Sequence, residues 1–282
     1  MNGTTPHPPT PKPRGLTPTP DPKSQSDSLF LTMLLPEIRF IIYEYVFGHR
    51  NLHIFIYEQK LVSLFCQNPT AAGLDGHEAC IGMSMSQIPG TEWWKPEGIR
   101  ERLMAGVMHH NAALLTTCRT IYHESIDVLY ETHVLHFSNL FAISAFPQAF
   151  LPHHLHLLRH IRLSLTLFNR NNVIHAYFNN AFSRSWPGWD GSNASGGTPW
   201  QCAWSAVGGL KSLQTLLVTL EVMRDDHQPG DLHWSRSMPE DFETAILEPM
   251  KQVVCEDFLL RVNWPSTGND FREYPFRIEH VS

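Results

Sequence analysis

No apolar run in this 282-residue chain is long enough to cross a bilayer, which argues against a membrane span. Its first residues are polar and proline-rich, with no hydrophobic core of a secretory signal. The expectation is therefore an intracellular protein, cytoplasmic or nuclear. Lys/Arg-rich blocks are missing as well. With 21 Lys and Arg against 27 Asp and Glu, the net charge is −6. A general nucleic-acid binder needs clustered cations to neutralise phosphates, so that class is set aside. Cysteine is scarce: five residues, Cys66, Cys80, Cys118, Cys202 and Cys255, scattered and odd in number. That is a poor disulfide framework and fits a reducing compartment. Without a secretory signal the glycosylation patterns at Asn2 and Asn193 carry little weight.

Sequence motifs of catalysis are lacking too. Ser195-Gly196-Gly197-Thr198 has no Lys of a phosphate loop, and Gly208-Gly209 stand alone. The Gly82–Ser86 run lacks the second glycine of a nucleophile elbow. The 17 histidines include His153, His154, His156 and His160, but no cysteine pair or HExxH run joins them. Zinc wants about four convergent ligands. In a segment entering a strand, His156 and His160 would share a face but sit about 13 Å apart. Arg119, His123 and Asp127 recur every four residues along one helix face. Their nucleophile neighbours are only Thr116 and Thr120, so the pattern reads as a solvated charge ladder worth about 0.2–0.5 kcal/mol per pair. Trp186, Trp189, Trp200 and Trp204 flank a Gly/Ser loop and either line a groove or anchor the loop to the core. No catalytic residue, metal ligand or cofactor is assigned, and an enzyme is not expected.

What is present begins with a tail. Residues 1–28 are Pro, Thr, Lys, Ser and Asp, with four Thr-Pro steps, and bury too little to offset ordering entropy. They are expected to be disordered. From Leu29 to the end one α/β domain is expected, with a front part at 29–150 and a strand–helix part at 151–282. Its first clear element runs from Pro36 to Phe47. Pro36 suits a first helical turn, Glu37 favours the positive helix start, and Gly48 suits the left-handed stop. At 100° per residue the apolar side chains fall on two faces. Ile38, Ile41, Ile42, Tyr45 and Val46 form the wide one; Phe40, Tyr43 and Phe47 form a narrower aromatic one. A surface helix needs one apolar face for its own core. The second wants another partner, either more of this domain or a different protein.

Leu52–Tyr57 and Leu61–Cys66 alternate and predict a hairpin. Residues 67–97 read as a long loop, with Trp93-Trp94 tucked onto the core. A helical pattern spans 99–131, broken at most once, with Leu114, Leu115, Cys118, Ile121, Tyr122, Ser125, Val128 and Leu129 on one face. A strand over Thr132–Phe137 and a short helix over 138–146, stopped by Pro147, follow. Strands are predicted at Leu158–Leu167, Leu210–Leu220, Asp257–Trp264 and Phe271–Val281. Helices are predicted at Val173–Phe182, Trp200–Val207 and Pro239–Val254. The alternation predicts a mixed α/β fold with parallel pairing. The two leucine-rich strands give the layer an irregular leucine-rich-repeat-like character.

The motif Leu35-Pro36-Glu37-Ile38-Arg39-x-x-Ile42-Tyr43-x-Tyr45-Val46, followed by Leu114-Leu115-x-x-Cys118-Arg119-x-Ile121-Tyr122-x-Glu124 and Leu129-Tyr130, resembles the filamentous-fungal F-box-like domains of unknown function. The likeness covers about half the chain, Leu29 to Leu167. It implies F-box-like helices with an inserted hairpin, no established enzyme activity, and a protein partner. By that resemblance the first helix docks the adaptor of a cullin ubiquitin ligase through Phe40, Tyr43 and Phe47, and the carboxy-terminal part holds a substrate. The rival reading keeps those rings in the core and puts the binding surface in the loops at 67–97 and 185–199.

Overall fold

Alternating apolar residues on six parallel-pairing segments set the architecture. The computed structural model describes residues 28–48, 51–57, 60–66, 114–138, 140–168, 198–223, 240–264 and 273–281. The expected tail, the 67–97 loop, the helix at 173–182 and nearly all of the 185–199 loop lie outside the described residues. The chain divides into two compact units, Met1–Arg39 and Phe40–Ser282.

In the first unit, α1 (Leu29–Met33) starts at Ser28. The Ser28 carbonyl accepts from Leu31 N, Thr32 N and the Thr32 hydroxyl. Arg39 is buried, and its Nη1 donates to the carbonyls of Leu34, at 2.6 Å, and Leu31, at 3.3 Å. A cation thus sits on the carbonyls left over at the end of α1. The helix α2 (Pro36–Phe47) begins here and runs into the second unit.

The second unit is built on one seven-stranded sheet. In chain order its strands are β1 (Asn51–Tyr57), β2 (Lys60–Phe65), β3 (Val134–Phe137), β4 (His160–Phe168), β5 (Thr215–Met223), β6 (Asp257–Val262) and β7 (Arg277–His280). The spatial order is β2-β1-β3-β4-β5-β6-β7. Among the described residues only the β1–β2 hairpin is antiparallel, and every other pair is parallel. The mixed α/β class read from the sequence is the class found. Six parallel strands stand side by side in the order the chain visits them. Parallel neighbours of this kind need crossover connections rather than tight turns. One large core cluster lies on one face of the sheet. Leu135, Ile161, Leu163, Leu165, Leu216, Val218, Leu220, Phe258, Leu260 and Val262 point into it from the strands. The connections supply α4 (Leu140–Ala149), α6 (Pro199–Gly208), α7 (Glu240–Leu247) and the 3-10 turn Glu248–Gln252, with α6 packed against both α4 and the 3-10 turn. The remaining helices are α3 (Arg119–Thr132) and the single turn α5 (Pro152–Leu155).

Several boundaries differ from expectation for local reasons. α3 starts only at Arg119, because Cys118 leaves the helix in extended geometry and its Sγ accepts from Ile121 N at 3.4 Å. Cys118 is thus a cap, not a member of the apolar face, and Leu114 and Leu115 precede the break. Thr132 stays in the helix, its hydroxyl bonded to the Val128 carbonyl, so β3 begins two residues later than expected. Pro147 does not stop α4, which runs on to Ala149. Leu210–Gln214 is a turn rather than the start of β5. Pro249 converts the end of the α7 segment to a 3-10 turn. Trp200 and Trp204 are core residues, edge to face at 5.5 Å, with Trp200 Nε1 donating to the Ile246 carbonyl at 3.0 Å. Thr198 and Gln201 close a reciprocal capping box at the start of α6.

Candidate functional site

Within α2 the residues that face inward and outward are set by partners far along the chain. From Phe40 onward, Tyr43 and Phe47 are fully buried, and Ile42 and Val46 are half-buried. The Tyr43 hydroxyl donates to Glu124 Oε2 of α3 at 2.8 Å, which fixes the rotation of α2. Gly48, at φ 65°, ends the helix in the left-handed region, and its N–H donates to the Glu44 carbonyl. Phe40, edge-on to Tyr43 at 6.1 Å, keeps 41% of its surface.

Two of the three rings expected to grip a partner, Tyr43 and Phe47, are therefore core. They lie one turn apart on the same side of α2, and a sealed ring cannot meet another molecule. The helix nonetheless has a second apolar side, and it is the wide one. Ile41 is 59% exposed and Tyr45 88% exposed, one turn apart on the same face. In the first unit Leu29, Met33, Leu35 and Ile38 are likewise exposed.

The other face of the sheet carries a second feature. Strand alternation places His53, His136, Arg162, Leu217 and Leu259 in one row, on the side away from the main core. Ser164, Thr219, Arg261 and Glu279 form the next row. His53, His136, Ser164 and Thr219 are buried. The His53 and His136 rings lie 4.8 Å apart, and His136 Nε2 is 2.9 Å from the Ser164 hydroxyl. Arg261 pairs with Glu279 at 3.0 Å, and Arg277 with Asp257 at 2.8 Å. Arg162, near the middle of the sheet, is 9% exposed. Burial and then the neighbouring Arg261 charge push its pKa below the ordinary value, with Cys66 acting the other way. The sequence reading passed over this row, because a lone Arg alternating with leucines looks like an ordinary solvent-facing position. The signal present was the run of polar residues at every second place in β4: His160, Arg162, Ser164 and Thr166.

The remaining candidates are placed as follows. His153 and His154 lie on α5, with His154 buried against Tyr130, ring centroids 4.8 Å apart. His156 ends that turn, and His160, at the start of β4, meets the Thr215 hydroxyl. Among the described residues no group of three or more His, Cys, Asp or Glu could hold a metal ion. Arg119, His123 and Asp127 are exposed on α3. Among the described residues no helix is long and apolar enough to cross a membrane. Among the described residues no disulfide joins Cys66, Cys118, Cys202 or Cys255.

A family model described as Domain of unknown function (DUF7730) matches residues 23–280, nearly the whole chain. The chain belongs to this family. No curated protein and no solved structure matches it. The DUF7730 match takes in both the front helices and the parallel sheet. The α2 surface and the polar rows both lie within the matched residues.

Proposed function

We propose that this DUF7730 chain is a non-enzymatic intracellular interaction protein. On this reading it docks a protein partner on the exposed side of α2 and presents the sheet-bearing part to a second protein. Following the F-box-like motif, the first partner is the adaptor of a cullin ubiquitin ligase and the second a substrate. The observation that carries the reading is Tyr45, 88% exposed, with Ile41, 59% exposed, one turn before it. Both stand on a helix whose opposite side is held by the Tyr43–Glu124 bond. Helix-in-groove recognition uses such anchors at one-turn spacing. Covering each would contribute about 1.5–3 kcal/mol. The docking residues proposed are thus Ile41, Tyr45 and the edge of Phe40, in place of Tyr43 and Phe47.

Binding of the full chain to a purified adaptor tests this by calorimetry. The double variant Ile41→Ala/Tyr45→Ala should melt within a few degrees of the parent yet bind at least about tenfold more weakly, the effect of losing about 1.4 kcal/mol. A folded double variant with parental affinity, or a parent that does not bind the adaptor, would reject the assignment.

A further inference from the structure

Buried charges in proteins are normally paired or hydrogen-bonded, because removing an ion from water costs several kcal/mol. Arg162 departs from that rule. It is 9% exposed, its Nε is fully buried, and among the described residues no hydrogen bond or carboxylate meets it. Beside it, diagonally across β4 and β5, Thr219 is 3% exposed, and its hydroxyl too has no partner among the described residues. Two unrelated side chains on adjacent strands therefore aim unsatisfied donors at the same face of the sheet.

Two carboxylates of that face are committed elsewhere. Glu279 holds Arg261, and Asp257 holds Arg277. Glu221 lies two positions beyond Thr219, about 7 Å along β5, and about 13 Å along β5 from the level of Arg162. Arg261 stands next to Thr219 in the register and adds positive potential. Ser164, the other neighbour of Thr219, is held by His136, which leaves the Thr219 hydroxyl as the donor facing Arg162.

We propose that this part of the sheet is a binding site for an oxyanion, a carboxylate or phosphate group, gripped by the Arg162 guanidinium and the Thr219 hydroxyl. A guanidinium offers paired N–H groups whose geometry matches either anion. A hydroxyl rotates to donate the third bond. Charge-assisted bonds of this kind in a low-dielectric setting are stronger than those at a wet surface. The site is independent of α2, so failure of adaptor docking leaves it standing and its own failure leaves docking untouched.

Calorimetric titration of the full chain with sodium phosphate, and separately with sodium acetate, tests it, with sodium chloride holding ionic strength constant. The parent should show saturable binding to at least one anion. Phosphate alone would identify a tetrahedral ligand, and acetate alone a carboxylate; either supports the site. Arg162→Gln should abolish saturation. Thr219→Val, which preserves shape and keeps the test valid should Arg162→Gln not fold, should weaken it about tenfold, as expected for one hydrogen bond to a charged group. No saturable signal with either anion, or parental affinity in Thr219→Val, would overturn the proposal. So would a linear, non-saturating heat shared by the parent and both variants, the mark of a non-specific salt effect.

Discussion

Tyr43 and Tyr45 lie two residues apart on α2, and replacing each in turn gives a direct measure of which face the domain seals. Tyr43 is fully buried and donates to Glu124 at 2.8 Å. Truncating a buried aromatic ring to alanine costs about 3–5 kcal/mol. Removing the hydroxyl alone, in Tyr43→Phe, deletes one hydrogen bond to a charged group, a contribution of about 1.5–3 kcal/mol. Tyr45 is 88% exposed, so Tyr45→Ala should fall within about 0.5 kcal/mol of the parent. Urea unfolding followed by far-UV circular dichroism supplies the numbers, provided the slopes stay equal. In thermal melts of a chain this size, about 2–4 °C accompanies each kcal/mol, so Tyr43→Ala should fall by at least about 6 °C while Tyr45→Ala stays level. The ranking Tyr43→Ala, Tyr43→Phe, Tyr45→Ala is the prediction. If Tyr45→Ala costs as much as Tyr43→Ala, the assignment of inner and outer faces is wrong, and the docking proposal falls with it.

Two further outcomes follow from the second unit. Trp200→Phe keeps most of the ring but removes the Nε1 donor to the buried Ile246 carbonyl; it should cost about 1–3 kcal/mol by urea unfolding, and a neutral result would refute the bond's structural role. His154 has its pKa lowered from 6.5, first by burial and then by His153, against an opposing pull from Asp127. The native state therefore prefers the neutral ring: its contribution is complete above the unfolded value near 6.5 and is lost as pH falls through the lower folded value. His154→Phe, which keeps a ring against Tyr130, should show a smaller drop in melting temperature between pH 7.5 and 5.5 than the parent, and equal drops would contradict the burial argument.

Much of the fold was legible in local pattern. α2 was marked at both ends by Pro36 and Gly48, the hairpin by two alternating runs, and the layer by β4, whose Ile161, Leu163 and Leu165 alternate into the core. Period and capping chemistry are properties of neighbouring residues, so a reading along the chain recovers them. Boundaries were less secure where a side chain competed with the backbone. Cys118 as a cap and Pro147 inside a helix each depended on one local hydrogen bond or a tolerated gap.

The candidate sites divide the same way. That α2 has two apolar sides follows from helical spacing alone, and so does the alternation of polar residues in the strands. Which side of α2 is covered does not, because burial belongs to pairs of segments. Tyr43 is sealed by a bond to a residue 81 positions away, and no local count distinguishes it from Tyr45. Arg162 likewise reads as an ordinary outward arginine until the register sets it beside Thr219, with Glu279 held by Arg261 and Asp257 by Arg277. Periodicity is a one-dimensional property and was present in the chain; occupancy of a face is a three-dimensional one, and only the assembled sheet and helices decide it.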